Sequence, residues 1–158
     1  MKILVTYYSR TQTTARVAKE IQKKLNCDIE EIIDINKRSG VIGYLKGGYD
    51  AMKSKPAKIK PIEKNPSEYD LVIVGTPVWA STMAPAILEY LKENKEKFND
   101  VSFFCTCGGS GYDKTLAKME EVADKNPLNN LYLTKNDIES SFDSKIEGFI
   151  KNIENIEK

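Results

Sequence analysis

The chain has 158 residues, 41% hydrophobic and 30% charged, which predicts a soluble, folded protein with a single domain spanning residues 1–158. Its 24 basic and 23 acidic residues leave a formal net charge of +1, so no strong attraction to nucleic acid is expected. Histidine is absent, which excludes a catalytic histidine and a histidine-ligated metal.

The cysteines and the apolar runs indicate the compartment. Cys27, Cys105 and Cys107 are odd in number and lack the spacing of a disulfide framework, which is typical of a reducing, cytoplasmic setting. Cys105 and Cys107 offer too few ligands for zinc or an iron–sulfur cluster, so no metal site is predicted. Apolar runs are far shorter than a membrane span, no signal-peptide pattern precedes the first strand, and no membrane insertion is expected.

The first predicted elements are a strand at residues 2–7 and a helix at residues 13–25, whose apolar positions recur on one face. The turn between them is rich in hydroxyls, and a phosphate at a helix N-terminus can be held by unpaired N–H groups and such hydroxyls. The alternative is that one hydroxyl simply caps the helix. The hydroxyl residues are Ser9, Thr11, Thr13 and Thr14.

The next segments are less regular. Residues 27–33 predict a second strand near a sheet edge, and residues 39–52 predict a short helix or ordered loop lying on the sheet. Residues 53–64 carry five lysines. A nucleic-acid patch is conceivable there, but the neutral overall charge favours a solvated, extended connection.

The second half of the chain alternates strands with helices. Predicted strands are residues 69–75, 101–105 and 131–133, and predicted helices are residues 84–98, 113–123 and 138–156. The last helix has an uncertain start, since Ser141 or Ser144 could cap it, and the spacing of Ser144 and Glu147 fits a capping box.

Five strands alternating with helices predict an open parallel α/β sheet with helices on both faces. Ligands in such sheets bind beyond the carboxyl ends of the strands. Three strand-end loops are therefore the candidate site: residues 8–14, 76–83 and 106–113.

Each loop also has a structural explanation. Trp79 in the second loop could be packing rather than stacking on a ligand, and the glycines of the third loop could be turn formers only. Together, however, the loops describe a phosphate pocket beside an aromatic wall and a backbone that can approach a flat ligand closely. That combination favours a phosphorylated aromatic cofactor.

These loops resemble those of the flavodoxin family. Residues 8–14 resemble its phosphate loop, residues 75–79 with Met83 and Pro85 resemble the loop that packs the flavin ring, and residues 106–111 resemble the third loop. The resemblance implies flavin mononucleotide (FMN) as cofactor. It also implies a flavodoxin-like three-layer α/β/α fold with a five-stranded parallel sheet in the order 2-1-3-4-5.

The resemblance also implies roles for matched residues. The first loop would hold the phosphate, with Arg10 either adding charge or pointing into solvent. Thr76 and Pro77 would line the ribityl chain and Trp79 would lie against the ring. Tyr112 would either cover the other face of the ring or pack at the start of a helix. Cys107 would lie close to the flavin edge, where it could be redox-active, and no catalytic side chain is implied. The implied cofactor-binding residues are Ser9, Arg10, Thr11, Gln12, Thr13, Thr14, Thr76, Pro77, Val78, Trp79, Cys107, Gly108, Gly109, Gly111 and Tyr112.

Two positions depart from the family pattern. Gln12 stands where the phosphate loop usually has glycine, and a positive φ there would add strain of about 1 kcal/mol. Ser81 stands where close relatives often have glycine.

The leading functional prediction is a protein that carries electrons between redox partner proteins. The alternative is an FMN-dependent NAD(P)H:quinone-type oxidoreductase, for which residues 40–52 leave room. A phosphoacceptor receiver domain is disfavoured, because that chemistry needs acidic residues where this chain has Tyr7, Tyr8, Ser9, Thr76 and Pro77.

Overall fold

The computed structural model describes residues 1–36, 40–53 and 57–156. The strands of these residues are β1 (Ile3–Tyr7), β2 (Asp28–Glu31), β3 (Leu71–Trp79), β4 (Thr82–Met83), β5 (Asp100–Cys107) and β6 (Asn130–Thr134). The α-helices are α1 (Thr13–Leu25), α2 (Gly40–Met52), α3 (Pro85–Asn94), α4 (Tyr112–Ala123), α5 (Lys135–Ser140) and α6 (Phe142–Ile156). Among the described residues, no helix is long and apolar enough to cross a membrane.

Five of the strands form one parallel sheet in the order β2-β1-β3-β5-β6, with Val5 of β1 beside Ile29 on one side and Ile73 on the other. This is the predicted α/β order 2-1-3-4-5. The labels differ because the two-residue β4 pairs antiparallel with the end of β3 and takes no place in the parallel series.

The two faces of the sheet carry separate cores. Alternate residues of β1 point to opposite faces, so Val5 packs with α1 and α6 whereas Leu4 packs with α3 and α4. The central strands are buried on both faces, as the uninterrupted apolar run Leu71–Val74 of β3 predicts. The helices on the two faces leave the carboxyl ends of β1, β3, β5 and β6 at one edge.

The predicted second loop is largely strand. β3 continues to Trp79 and turns back into β4 through Ala80 and Ser81, which have φ values of 49° and 60°. Two consecutive residues of positive φ are typical of the tight turn that matches the twist of a β-hairpin. The prediction of a loop over residues 76–83 is therefore wrong, because the hairpin adds backbone pairing that the apolar pattern did not reveal.

The last helical region begins earlier than predicted and is divided. α5 starts at Lys135 and α6 at Phe142, with Ser141 between them. A capping box joins Thr134 and Asp137 at the start of α5. Ser144 lies inside α6, so the predicted capping box of Ser144 and Glu147 is wrong.

The glycine-rich segment forms α2, which matches the predicted helix except that Ser39 lies outside the described residues. Gly47 of α2 lies directly against Trp79, since a Cβ atom at Gly47 would come within 2.8 Å of the indole ring. The following connection is described from Ala57 onward. It runs along the β2 edge, where the Glu30 carboxylate accepts hydrogen bonds from the backbone N–H groups of Glu63 and Lys64.

Candidate functional site

A cavity of about 490 Å³ lies at the carboxyl edge of the sheet. This volume is within the range of sites that hold one small molecule or cofactor. All three predicted loops contribute to its wall, and the start of α5 contributes a fourth part. The lining residues are Arg10, Thr11, Thr13, Thr14, Pro77, Val78, Trp79, Thr106, Cys107, Gly108, Lys135, Ile138 and Glu139.

The first loop presents hydroxyls to this cavity instead of using them to cap α1. Gln12 occupies the N-cap position without a side-chain cap, and only its backbone carbonyl bonds into the helix, to the Arg16 N–H. Within the described residues, the hydroxyls of Thr11 and Thr13 make no hydrogen bond. They are therefore available to a bound anion.

The backbone of Gln12 has φ 70° and ψ −2°, a left-handed conformation. A glycine would adopt this conformation easily, whereas the Cβ atom of Gln12 makes it strained. The sequence predicts strain at Gln12 only if φ is positive there, and the structure meets that condition.

Two deeper hydroxyls of the loop differ in their bonding. The Ser9 hydroxyl oxygen is buried, and no hydrogen-bond partner for it lies within the described residues. The Thr14 hydroxyl is instead hydrogen-bonded to that of Thr106, at 2.8 Å. A buried hydroxyl without a partner is costly unless a ligand or water satisfies it, so Ser9 suits a site that binds a polar group.

The hairpin forms the second wall, with Pro77, Val78 and Trp79 at the cavity. Thr76 does not line it: the Thr76 hydroxyl donates to the Pro77 carbonyl at 2.9 Å and accepts from the Ala84 N–H at 3.0 Å. Thr76 is fully buried and ties the start of the hairpin to the start of α3.

Trp79 is packed in the core and also lines the cavity. Its side chain is only 9% exposed, meets the Tyr8 ring edge-on at a centroid distance of 5.5 Å, and lies against Gly47. It also contributes to the cavity wall. Core packing therefore fixes the position of an indole that a ligand could contact.

Part of the third loop lines the cavity, and another part packs against the hairpin. Cys107 and Gly108 line the cavity, whereas Gly109 and Gly111 do not. Gly111 has φ 88° immediately before α4, and a Cβ atom there would come within 3.0 Å of Val78 and 3.2 Å of Ser81. Gly111 is thus required where the third loop packs against the hairpin.

Tyr112 does not line the cavity. Its ring is stacked on that of Tyr132 at 3.9 Å with an interplanar angle of 6°, and Lys145 lies over the other ring of the pair. The stack corresponds to the alternative of packing at the start of a helix, and a role for Tyr112 over a flavin ring stays a prediction.

The two cysteine thiols of β5 are not activated. Burial, chiefly, raises the pKa of the Cys107 thiol, with a further contribution from Asp137, and burial also raises the pKa of Cys105. Both therefore remain thiols near neutral pH, which lowers their reactivity because the thiolate is the nucleophile.

Four lining residues are absent from the set predicted from the sequence: Thr106, Lys135, Ile138 and Glu139. The last three follow β6, whose carboxyl end lies at the same sheet edge as those of β1, β3 and β5. The rule that ligands bind beyond parallel strand ends would have included the loop after the last strand as well.

Comparisons with known proteins agree with this architecture. A structure of a flavoprotein in complex with FMN from Lactobacillus acidophilus has a TM-score of 0.74 at 22% identity, covering 87% of this chain and 96% of that chain. A putative flavoprotein from Bacteroides uniformis has a TM-score of 0.75 at 22% identity, covering 95% and 97%. An NADH:FMN oxidoreductase in its apo form has a TM-score of 0.52 at 14% identity, covering 95% and 89%. These likenesses establish the fold.

No curated protein sequence matches the chain. The model of the family described as Flavodoxin, however, matches residues 2–145, which is nearly the whole chain. With the strand order and the three loops in place, the chain belongs to the flavodoxin family.

Proposed function

We propose that the chain binds FMN in the cavity at the carboxyl edge of the sheet. The observation that carries this proposal is the chemistry of the wall: at one part are the hydroxyls of Thr11 and Thr13, which make no hydrogen bond within the described residues, and at another is Trp79. The buried Ser9 hydroxyl of the same loop also has no partner within the described residues, but Ser9 is not a lining residue. Hydroxyls and helix N-terminal N–H groups suit a phosphate, and an indole suits a flat aromatic ring.

In this proposal the chain's own residues bind and orient the cofactor. Thr11 and Thr13 donate hydrogen bonds to the phosphate, Pro77 and Val78 exclude water along the linking chain, and Trp79 limits where the ring can lie. FMN supplies the redox chemistry when it is bound. The cavity lining contains no histidine, and burial raises the pKa of the Cys107 thiol, so this thiol is not suited to transferring protons near neutral pH.

We further propose that the protein carries electrons between redox partner proteins. A cavity of about 490 Å³ has room for one cofactor, so a second reactant would have to approach from outside. Electron transfer to a partner protein needs only such an approach.

Purification in the dark followed by spectroscopy tests the cofactor. The expected result is a yellow protein, or an apoprotein that becomes yellow with added FMN, and release of FMN on denaturation. A colourless protein that does not take up added FMN contradicts the proposal.

The alternative is an FMN-dependent NAD(P)H oxidoreductase, which the likeness in fold to an NADH:FMN oxidoreductase supports. Stopped-flow mixing of the FMN-loaded protein with NADH, and separately with NADPH, distinguishes the two. A carrier is expected to be reduced slowly by both nucleotides. Fast bleaching of the flavin absorbance by either one would favour the oxidoreductase instead.

A further inference from the structure

One face of α5 presents three different side chains to the cavity. Lys135, Ile138 and Glu139 have the spacing i, i+3 and i+4, which places them on one face of the helix, and all three line the cavity. The cavity is therefore bounded at four strand ends, since α5 directly follows β6.

α5 is short but firmly tied to the fold. One oxygen of the Asp137 carboxylate accepts hydrogen bonds from the Thr134 N–H at 2.8 Å, the Thr134 hydroxyl at 2.9 Å and the Lys145 ammonium at 3.1 Å. The other oxygen accepts from the Ser141 hydroxyl at 3.1 Å. In addition, the Lys135 N–H donates to the Gly108 carbonyl at 3.2 Å, which joins α5 to the third loop.

The charged groups of the two ionisable side chains on this face have no partner within the described residues. Within the described residues, neither the Lys135 ammonium nor the Glu139 carboxylate makes a hydrogen bond or an ion pair. They do not pair with each other either, although their i, i+4 spacing would allow it. Two exposed, opposite charges at the rim of one cavity would act on a charged ligand with opposite signs.

We propose that this face of α5 is a fourth wall of the cofactor site and that Lys135, in addition to Arg10 of the first loop, is a cationic side chain that favours a phosphorylated flavin over an unphosphorylated one. The inference rests on the proposed binding of FMN. Lys135 supplies positive charge to the phosphate that Thr11 and Thr13 hold by hydrogen bonds, and Glu139 opposes it. Ile138 adds apolar contact that does not depend on the phosphate.

Comparing FMN with riboflavin isolates the phosphate, because the two ligands share the ring and the ribityl chain. The dissociation constants of both are measured by quenching of flavin fluorescence on titration with apoprotein at low ionic strength. The variants are Lys135→Gln, Glu139→Gln and Lys135→Arg, and Lys92→Gln on α3 is the matched control with a lysine away from the cavity. Thermal unfolding of each apoprotein checks that the fold is retained.

Because Lys135 is exposed, we expect Lys135→Gln to weaken the binding of FMN about three- to tenfold and to change the binding of riboflavin little. The effect on FMN binding should shrink in high salt. Glu139→Gln is expected to strengthen the binding of FMN by a smaller factor. Lys135→Arg should preserve the FMN preference, and Lys92→Gln should leave both constants unchanged.

Two results would overturn the inference at different levels. If wild-type protein binds FMN but Lys135→Gln leaves the ratio of FMN to riboflavin affinity unchanged, the assignment of Lys135 fails and FMN binding stands. If wild-type protein binds neither ligand, FMN binding itself fails and the role of α5 fails with it.

Discussion

The hydroxyls of Thr14 and Thr106 meet at 2.8 Å although 92 positions separate them in the chain. Thr14 is in the first turn of α1 and Thr106 is near the end of β5, and their side chains are 1% and 6% exposed. The bond therefore joins the first loop to the third at the base of the cavity.

Removing one of these hydroxyls is expected to cost more than removing both. Thr14→Val or Thr106→Val leaves the partner buried without a hydrogen bond and should lower the free energy of unfolding by about 1–2 kcal/mol, whereas the double variant should lie close to wild type. Urea unfolding of the four proteins gives the coupling energy. Additive effects of the two single changes would show that the hydroxyls do not depend on each other.

Removing the hydroxyls of Thr11 and Thr13 together should weaken the binding of FMN strongly and the binding of riboflavin little. Hydrogen bonds to a charged group are each worth about 1.5–3 kcal/mol, so the Thr11→Ala, Thr13→Ala variant should lose at least roughly tenfold in FMN affinity. Both side chains are exposed, so circular dichroism should show an unchanged fold. Ser110→Ala, in the third loop but outside the cavity lining, is the control. Equal FMN binding by variant and wild type would place the phosphate elsewhere.

Gln12 is the position where glycine should stabilise the protein. Its φ of 70° is costly for a residue with a Cβ atom, and Gln12→Gly should raise the free energy of unfolding by about 0.5–1 kcal/mol after the extra freedom of the unfolded chain is subtracted. Gln12→Ala keeps the Cβ atom and should behave like wild type. Chemical unfolding compares the three proteins; a glycine variant no more stable than the alanine variant would mean that this φ carries no strain.

Neighbouring glycines of α2 should respond in opposite ways to alanine. A Cβ atom at Gly47 would come within 2.8 Å of the Trp79 ring, whereas nothing lies within 4 Å of one at Gly48. Gly48→Ala should therefore stabilise the protein by up to about 1 kcal/mol through helix propensity, and Gly47→Ala should destabilise it.

Trp79 is the chain's single tryptophan, so its fluorescence reports directly on this contact. The emission maximum should move in Gly47→Ala and stay constant in Gly48→Ala. Identical spectra and stabilities for the two variants would contradict the packing of α2 on Trp79.

Asp137 should stabilise the protein at neutral pH and lose this effect in acid. Hydrogen bonds, chiefly from the Thr134 N–H, lower the pKa of Asp137 to about 2 in the folded state, against about 3.9 expected in an unfolded chain. The unfolded state therefore binds the proton first as the pH falls, so the stabilisation is complete above about pH 5 and disappears toward pH 2.

Asp137→Asn should accordingly lower the free energy of unfolding by on the order of 1–2 kcal/mol at pH 7, and by less at pH 3. Urea unfolding at both pH values measures the difference between wild type and variant. Asp100→Asn, at an exposed carboxylate at the start of β5, is the control and should show little change at either pH. A difference that stays constant from pH 7 to pH 3 would exclude the charge of Asp137 as its source.

The parts of the site at the ends of apolar strands could be predicted from the sequence, because the apolar runs locate those strands. Thr11, Thr13 and Gly108 follow β1 and β5, and Trp79 is the last residue of β3. The apolar runs of these strands are plain in the sequence, and all four residues line the cavity. The wall formed by α5 was not predicted, because Lys135 and Glu139 look like ordinary charged residues on a solvent-exposed helix. Only the proximity of the β6 end to the other strand ends gives them a place at the cavity.

The sequence by itself determined the five parallel strands that alternate with helices and the hydroxyl-rich turn after residue 7, because hydrophobic periodicity and strand-end composition are local properties. The sheet order followed from the resemblance of the loops to a family. The sequence also located Gln12 as the unusual residue of that turn. The tertiary structure decided which hydroxyls lack a hydrogen bond. The Thr14 hydroxyl is hydrogen-bonded to that of Thr106, and the Thr76 hydroxyl donates to the Pro77 carbonyl in the hairpin. The hydroxyls of Thr11, Thr13 and Ser9 have no partner in the described residues. Such pairing depends on contacts between distant parts of the chain, which a local pattern cannot report.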